Sequence, residues 1–384
     1  MRILYDWRPW QDFHGRGVAR YIEALFSECM RLSDEESWIL LHDDGVRPVF
    51  DSVLKERIHD CSQTDFDKGK FFDNEFDVYI NGSACCLSVD SRIVLDEMYP
   101  KNVMRACRHR TAILHDFIPL FFQDYICDEN HEISFALQSE FLRTLDHVFA
   151  NSCFTATSAM RYIPLPREKL SVIYGGVDTK KFFSENSQSP YFVSNRKNHI
   201  VYVGGFASQK NWQGAVKAFC MAYIRGLLPA DSSFFIICNA NQESKDALKK
   251  LTESYGLVYG KQILATGFIS DETMVNLVST ARASIFPSFL EGLGLPILES
   301  YAAGTPCWAS AFHVTKEITF PDCTFNPFEE NSMIQAFMNI YSRPDLCQKS
   351  LEFGRKLLTD ISWEKAATKV VWIFKKITER DYGQ

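Results

Sequence analysis

The chain has no excess of positive charge. Its 384 residues carry 41 Lys and Arg against 48 Asp and Glu, a formal net charge of −7. That balance argues against a general nucleic-acid binder, whose affinity rests on neutralising phosphates. No apolar run approaches the roughly 20 residues that span a bilayer. Arg2 and Asp6 interrupt the opening apolar stretch, so no signal peptide is expected. The 12 cysteines include no Cys-x-x-Cys and no Cys/His ligand spacing, and Cys85 and Cys86 are adjacent, a poor geometry for pairing. All are read as reduced thiols of a cytoplasmic protein. Aspartates in metal-binding patterns are poorly placed. Asp43–Asp44 lacks the spacer of an Asp-x-Asp pair, and Asp65-Phe66-Asp67 falls in a polar segment, so no metal site is expected. Low-complexity tracts and short-period repeats are missing too.

Short β-rich apolar runs alternate with helical patterns, and that alternation predicts a parallel α/β architecture. The runs of the first series are RILYD (2–6), WILLH (38–42), DVYI (77–80), TAILH (111–115), HVFAN (147–151) and LSVIY (170–174). Helices are expected from the Gly-containing turn HGRGVARY (14–21) to about Met30, over 131–145, and after Ser152, a plausible N-cap. Polar residues 184–198 read as a linker. The pattern then restarts with HIVYVGG (199–205), FFIIC (234–238), QILATG (262–267), ASIFP (283–287) and TPCWAS (305–310). A chain of this length exceeds one core, since cores stop growing at about 250–300 residues. The expectation is two Rossmann-like domains facing a central cleft, an N-terminal one over 1–185 and a C-terminal one over 198–362. An amphipathic helix around 363–384 follows, and its pattern leaves open on which domain it packs. Ligands in such sheets bind beyond the carboxyl ends of the strands.

The most informative segment is EGLGLPILESYAAGTP, 291–306. It follows the strand ASIFP. Pro296 fits the first position of a helix, and Gly304 fits its stop. Glu299 then falls in the first turn and Glu291 in the loop before it. Free backbone N–H groups and the positive end of the helix dipole together make an anion site. Gly292 and Gly294 let that backbone approach a diphosphate closely. Two carboxylates aimed at phosphate would repel it, so they are better used as acceptors for sugar hydroxyls. Backbone amides of Gly292, Leu293, Gly294 and Leu295 are therefore assigned to phosphate and donor sugar, Glu299 to ribose hydroxyls, and Glu291 to the donor sugar.

This string resembles the Glu-x7-Glu motif of retaining GT-B glycosyltransferases of glycosyltransferase family 4. Other segments match in order. VGGFASQKN (203–211) resembles the family's glycine turn, with Gly204, Gly205 and the phosphate-binding Lys210. HDFIPL (115–120) resembles its catalytic loop, with His115 against the donor sugar, and HGRGVARY its N-terminal glycine loop, with Gly17 nearest the phosphates. SWEKAATKVVWIF (362–374) resembles its C-terminal helix, which implies that the helix around 363–384 packs back on the first domain. One departure stands out: many members carry Arg where this chain has Gly205.

The resemblance implies transfer with retention, no metal and no cofactor beyond the nucleotide-sugar donor. His115 and Glu291 would lie at the reacting sugar. No protein nucleophile is assigned; the departing phosphate oxygen takes the acceptor's proton. The strings look most like bacterial mannosyltransferases of O-antigen and polysaccharide assembly. That implies GDP-mannose as donor and a lipid-linked oligosaccharide as acceptor, at the inner face of the cytoplasmic membrane. The basic segment KNVMRACRHR (101–110) is a candidate for touching that surface. Related rhamnosyl-, fucosyl- and glucosyltransferases share these strings. A sugar-nucleotide epimerase and a non-catalytic nucleotide-binding partner subunit, the latter motivated by Gly205, stand as competing readings.

Overall fold

In the computed structural model the described residues are 1–9, 17–33, 35–43, 59–84, 98–122, 129–182 and 196–379. His14 to Arg16 of the first glycine loop, Asp44, Cys85, Cys86 and residues 184–195 of the expected linker lie outside them. The chain forms two compact units, Met1–Gly175 with Ile361–Gln384, and Gly176–Asp360.

Among the described residues, the strands of the first unit all pair in parallel. They are β1 (Arg2–Asp6), β2 (Ser37–His42), β3 (His59–Ser62), β4 (Phe76–Asn81), β5 (Cys107–Leu114), β6 (His147–Ala150) and β7 (Leu170–Val172). Their order is β3-β2-β1-β4-β5-β6-β7, which reverses direction between β1 and β4. Buried runs such as Ile3, Leu4 and Tyr5 fit strands covered on both faces. β3 reads HDCS and carries no apolar run, because it is the sheet edge and exposes His59 and Asp60.

The helix Gly17–Leu32 buries Ala19, Tyr21, Ile22, Leu25, Phe26, Cys29 and Met30, one stripe at helical spacing. The helix Trp363–Glu379 lies against it, with the Trp363 ring edge-on to Tyr21 at 5.0 Å. Farther along, Phe374 reaches Trp38 and Phe149. Ser152 caps the helix Cys153–Tyr162, its Oγ accepting from the Thr155 amide at 3.1 Å.

The basic segment 101–110 is not one amphipathic helix. A single turn, Lys101–Arg105, gives way at Cys107 to β5, and Val103, Met104, Ala106 and Cys107 are buried in the core. Arg105 pairs with Asp73, and the Arg110 guanidinium donates to the Met104 carbonyl. Sheet pairing of its apolar residues overrode the basic pattern, so Arg105, Arg108 and Arg110 do not share one helix face.

The second unit repeats the plan with β8 (His199–Val203), β9 (Ser233–Ile237), β10 (Ile263–Ala265), β11 (Ala283–Phe286), β12 (Cys307–Ser310) and β13 (Thr324–Phe325). All pair in parallel in the order β10-β9-β8-β11-β12-β13, with the reversal between β8 and β11. This unit begins ahead of residue 185 because Phe182 is buried among Val201, Ile237, Met274 and Val278. Arg196 is buried as well. Its guanidinium donates to the carbonyls of Ser279, Ala281 and Gly304 and to Thr305 Oγ1, holding two helix ends. Burial lowers its pKa to about 10. Among the described residues, no helix is long and apolar enough to cross a membrane.

Candidate active site

Two loops of the second unit leave the carboxyl ends of β8 and β11, the adjacent strands at which that sheet reverses. Such a switch point opens a crevice for ligands. Lys210 comes from the first loop and Glu291 from the second, and they meet there: Lys210 Nζ lies 2.7 Å from Glu291 Oε1. The Glu291 side chain is 8% exposed and that of Lys210 23%. The residues assigned separately to phosphate and to sugar are thus ion-paired in this structure. The Lys210 ammonium also sits 5.7 Å from the centre of the Phe286 ring.

The loop after β8 has little freedom. A Cβ on Gly204 would fall 2.5 Å from the hydroxyl of the buried Tyr202 ring, so any side chain there must displace that ring. The Tyr202 hydroxyl donates to the Gly205 carbonyl at 2.9 Å. Gly205 itself faces open space, and a Cβ there would meet nothing within 4 Å. Its lack of a side chain is therefore not a packing requirement. Lys210 ends a short 3-10 turn, Ser208–Lys210, and Asn211 follows in the left-handed region with φ 49°.

The loop after β11 leads into the helix Leu295–Ala302. Gly294, at φ +85°, makes the entering bend. The helix starts one residue earlier than expected, so Pro296 is its second residue and Glu299 lies in the second turn. The left-handed Gly294 supplies the cap that proline was expected to mark. Glu291 to Gly294 are buried, and Glu299 is 7% exposed. The helix closes in a Schellman motif: Thr305 N–H bonds the Ser300 carbonyl and Gly304 N–H that of Tyr301, with Gly304 at φ +74°.

In the first unit, His115 follows β5 and is buried. Its Nε2 lies 2.9 Å from the Gly82 carbonyl. A carbonyl only accepts, so Nε2 carries the proton and Nδ1 keeps a lone pair. Burial lowers the imidazole pKa from 6.5 to about 4, although the Gly82 bond opposes the shift, so the ring is neutral near pH 7. Its backbone carbonyl already accepts from Thr155 Oγ1 at 3.2 Å. Gly17 opens the helix that carries Tyr21, and the Tyr21 ring stands edge-on to His115 at 5.0 Å.

The Asp-x-Asp spacing at 65–67 serves local structure. Asp65 accepts from the Ser62 amide at 3.0 Å, and Asp67 from Asn102 Nδ2 at 2.7 Å. Among the described residues, no group of three or more His, Cys, Asp or Glu is arranged to hold a metal. The neighbouring aromatics pack: Phe66, Phe71 and Phe76 meet one another at tilted angles.

Sequence reasoning missed two residues that build these sites. Gly82, which fixes the His115 tautomer, follows β4, and a Cβ there would lie 3.1 Å from the Asp6 carbonyl. Asn211 donates through Nδ2 to the carbonyls of Pro287 and Pro327, tying the Lys210 turn to the loops after β11 and β13. Gly214 leaves room for that side chain, since its Cβ would lie 2.4 Å from Asn211 Oδ1. Asn ahead of a helical pattern was the available signal.

Residues 183–343 match the family model "Glycosyl transferases group 1". The chain is 27% identical over 232 residues to the serotype-specific mannosyltransferase WbdA of Escherichia coli, covering 57% of this chain and 27% of that protein. It is 24% identical over 239 residues to the O-antigen chain mannosyltransferase RfbU of Salmonella typhimurium, covering 62% of each. The chain therefore spans about a quarter of WbdA and less than two thirds of RfbU. Among solved structures, a sucrose-phosphate synthase from Thermosynechococcus elongatus superposes with a TM-score of 0.75 at 16% identity, covering 99% of this chain and 100% of that one. Anabaena HepE in complex with UDP and glucose gives 0.71 at 13%, covering 98% and 100%. The fold is GT-B.

Proposed function

We propose that this GT-B chain, which resembles O-antigen mannosyltransferases, is a retaining, metal-independent hexosyltransferase. It moves mannose from GDP-mannose to a growing, lipid-linked bacterial glycan. The observation that carries the reading is the Lys210–Glu291 pair at the β8/β11 switch point, beside the glycine-lined start of the helix Leu295–Ala302. A cation and first-turn amides suit a diphosphate, and a buried carboxylate suits sugar hydroxyls.

When donor binds, the diphosphate takes the Lys210 ammonium and the amides of Gly292 to Leu295. Glu291 turns to the sugar and Glu299 to the ribose. His115 of the first unit keeps the sugar-contacting role that the resemblance implies, as a neutral imidazole whose Nδ1 holds a lone pair. The acceptor oxygen bonds to the anomeric carbon as the bond to the diphosphate breaks, and the acceptor's proton passes to the departing phosphate oxygen. The charge that develops on the diphosphate meets donors already in place, each worth about 3–4 kcal/mol to a transition state.

The test is a donor panel of GDP-mannose, GDP-fucose, UDP-glucose and dTDP-rhamnose, each with EDTA. The readouts are release of the nucleoside diphosphate and the anomeric configuration of the product. Release from GDP-mannose alone, with retention, is the expected result. Release from another donor replaces mannose but keeps the transferase class. Gly205 supports a second reading, a nucleotide-binding subunit without turnover, which binding with no release from any donor would favour.

A further inference from the structure

Three phenylalanines collect at the carboxyl ends of β11, β12 and β13, where the second unit carries its candidate site. Phe289 and Phe328 lie nearly parallel, 4.7 Å apart at 21°, and Phe312 meets Phe328 edge-on at 5.5 Å. Phe289 and Phe312 are half-buried, whereas Phe328 is 67% exposed. A large ring left in water while two others hold it is unlike a core contact, whose gain comes from burial.

The rings stand on loops that are bonded to one another. Asn211 Nδ2 holds the carbonyls of Pro287 and Pro327, each close in sequence to one of the stacked rings. Ser310 Oγ donates to the Ser288 carbonyl at 2.6 Å, joining the Phe289 and Phe312 loops. The Phe289 amide donates to the Gln209 carbonyl at 2.7 Å, beside Lys210. Asn326 Oδ1 accepts from the Phe328 amide at 3.0 Å, and its Nδ2 donates to Glu329 at 2.8 Å. The exposed ring therefore rests on a fixed backbone. Polar groups edge it: Glu329 follows it in the chain, and the His313 ring lies 6.2 Å from that of Phe312.

We infer that Phe289, Phe312 and Phe328 form a stacking platform for a pyranose ring of a sugar substrate. A pyranose has an apolar C–H face and a rim of hydroxyls, and the platform offers an aromatic face edged by donors and acceptors. Phe328 is the contact residue, and Phe289 and Phe312 position it. This deepens the transferase reading and rests on it for naming the ligand. The ring that stacks belongs either to the donor sugar or to the acceptor glycan.

The experiment is saturation-transfer NMR on the whole chain with α-mannotriose, maltotriose, GDP-mannose and GDP as separate probes. Wild type, Phe328→Ala and Phe328→Trp are compared. The platform predicts that Phe328→Ala weakens a sugar-bearing probe about three- to tenfold, that Phe328→Trp retains it, and that GDP binds all three proteins alike. Loss on the oligosaccharides identifies an acceptor ring, and loss on GDP-mannose alone identifies the donor sugar. No saturation of any sugar proton, or equal affinities in wild type and Phe328→Ala, overturns the platform. A parallel loss of GDP binding in Phe328→Ala and of sugar binding in Phe328→Trp overturns it too. Failure of GDP to bind wild type while an oligosaccharide binds through Phe328 rejects the donor reading and leaves the platform standing.

Discussion

Replacing Glu291 by Gln should tighten binding of GDP and slow transfer from GDP-mannose. Lys210 Nζ and Glu291 Oε1 lie 2.7 Å apart, and neither side chain is more than a quarter exposed. An arriving diphosphate must take Lys210 from a carboxylate and then sit beside that carboxylate. A hydrogen bond to a charged group contributes about 1.5–3 kcal/mol and a neutral one about 1. Glutamine keeps the shape and a neutral bond, so roughly 1–2 kcal/mol of competition disappears. That is roughly a 5- to 30-fold gain in GDP affinity, larger at low salt. Transfer should fall about ten- to hundredfold, because the sugar hydroxyls lose a charged acceptor. Isothermal titration with GDP reads the first effect and steady-state kinetics with GDP-mannose the second. A variant that folds as wild type but binds GDP no more tightly would refute the idea that this ion pair guards the phosphate site.

Other expectations concern neighbouring residues. Lys210→Ala and Glu299→Ala should raise the KM for GDP-mannose about tenfold or more, with kcat less affected; unchanged KM in Lys210→Ala would remove the phosphate assignment. Gly205→Arg should fold normally, since a Cβ there meets nothing within 4 Å, and should bind GDP about tenfold more tightly. Gly204→Ala should cost about 1–3 kcal/mol through its collision with Tyr202, read as a lower Tm. His115, with its pKa lowered to about 4 by burial, binds fewer protons folded than unfolded below pH 6.5. Its contribution is fully present above 6.5 and lost as pH falls toward 4, about 3 kcal/mol in all. His115→Gln should flatten that part of the stability–pH curve, as denaturant titration at pH 7 and pH 4.5 would reveal.

Much of the fold was legible because buried parallel strands write themselves as apolar runs. RILYD, HIVYVGG and ASIFP each became a strand with its loop at the carboxyl end. β3 was not legible, since an edge strand with two exposed polar residues has no such signature. The helix start was displaced because Gly294 in the left-handed region marks it more strongly than Pro296. The contribution of Arg196 lay in a stretch that reads as a polar linker, and only its bonds to distant carbonyls reveal a structural role. The site's residue types were legible from EGLGLPILE, but the pairing of Lys210 with Glu291 was not, because they lie 81 residues apart and meet only through sheet order. The aromatic platform escaped for the same reason: its rings come from three loops that only the β11-β12-β13 neighbourhood brings together.

The most direct test is thermal unfolding of wild type and Lys210→Ala with GDP-mannose, with and without EDTA. A ligand that binds only the native state adds about 2.7 kcal/mol at one hundred times Kd. The account predicts a GDP-mannose shift that survives EDTA and shrinks in Lys210→Ala. No shift with any nucleotide sugar, or an equal shift in the variant, would contradict a donor site built on Lys210 and the Glu291 loop.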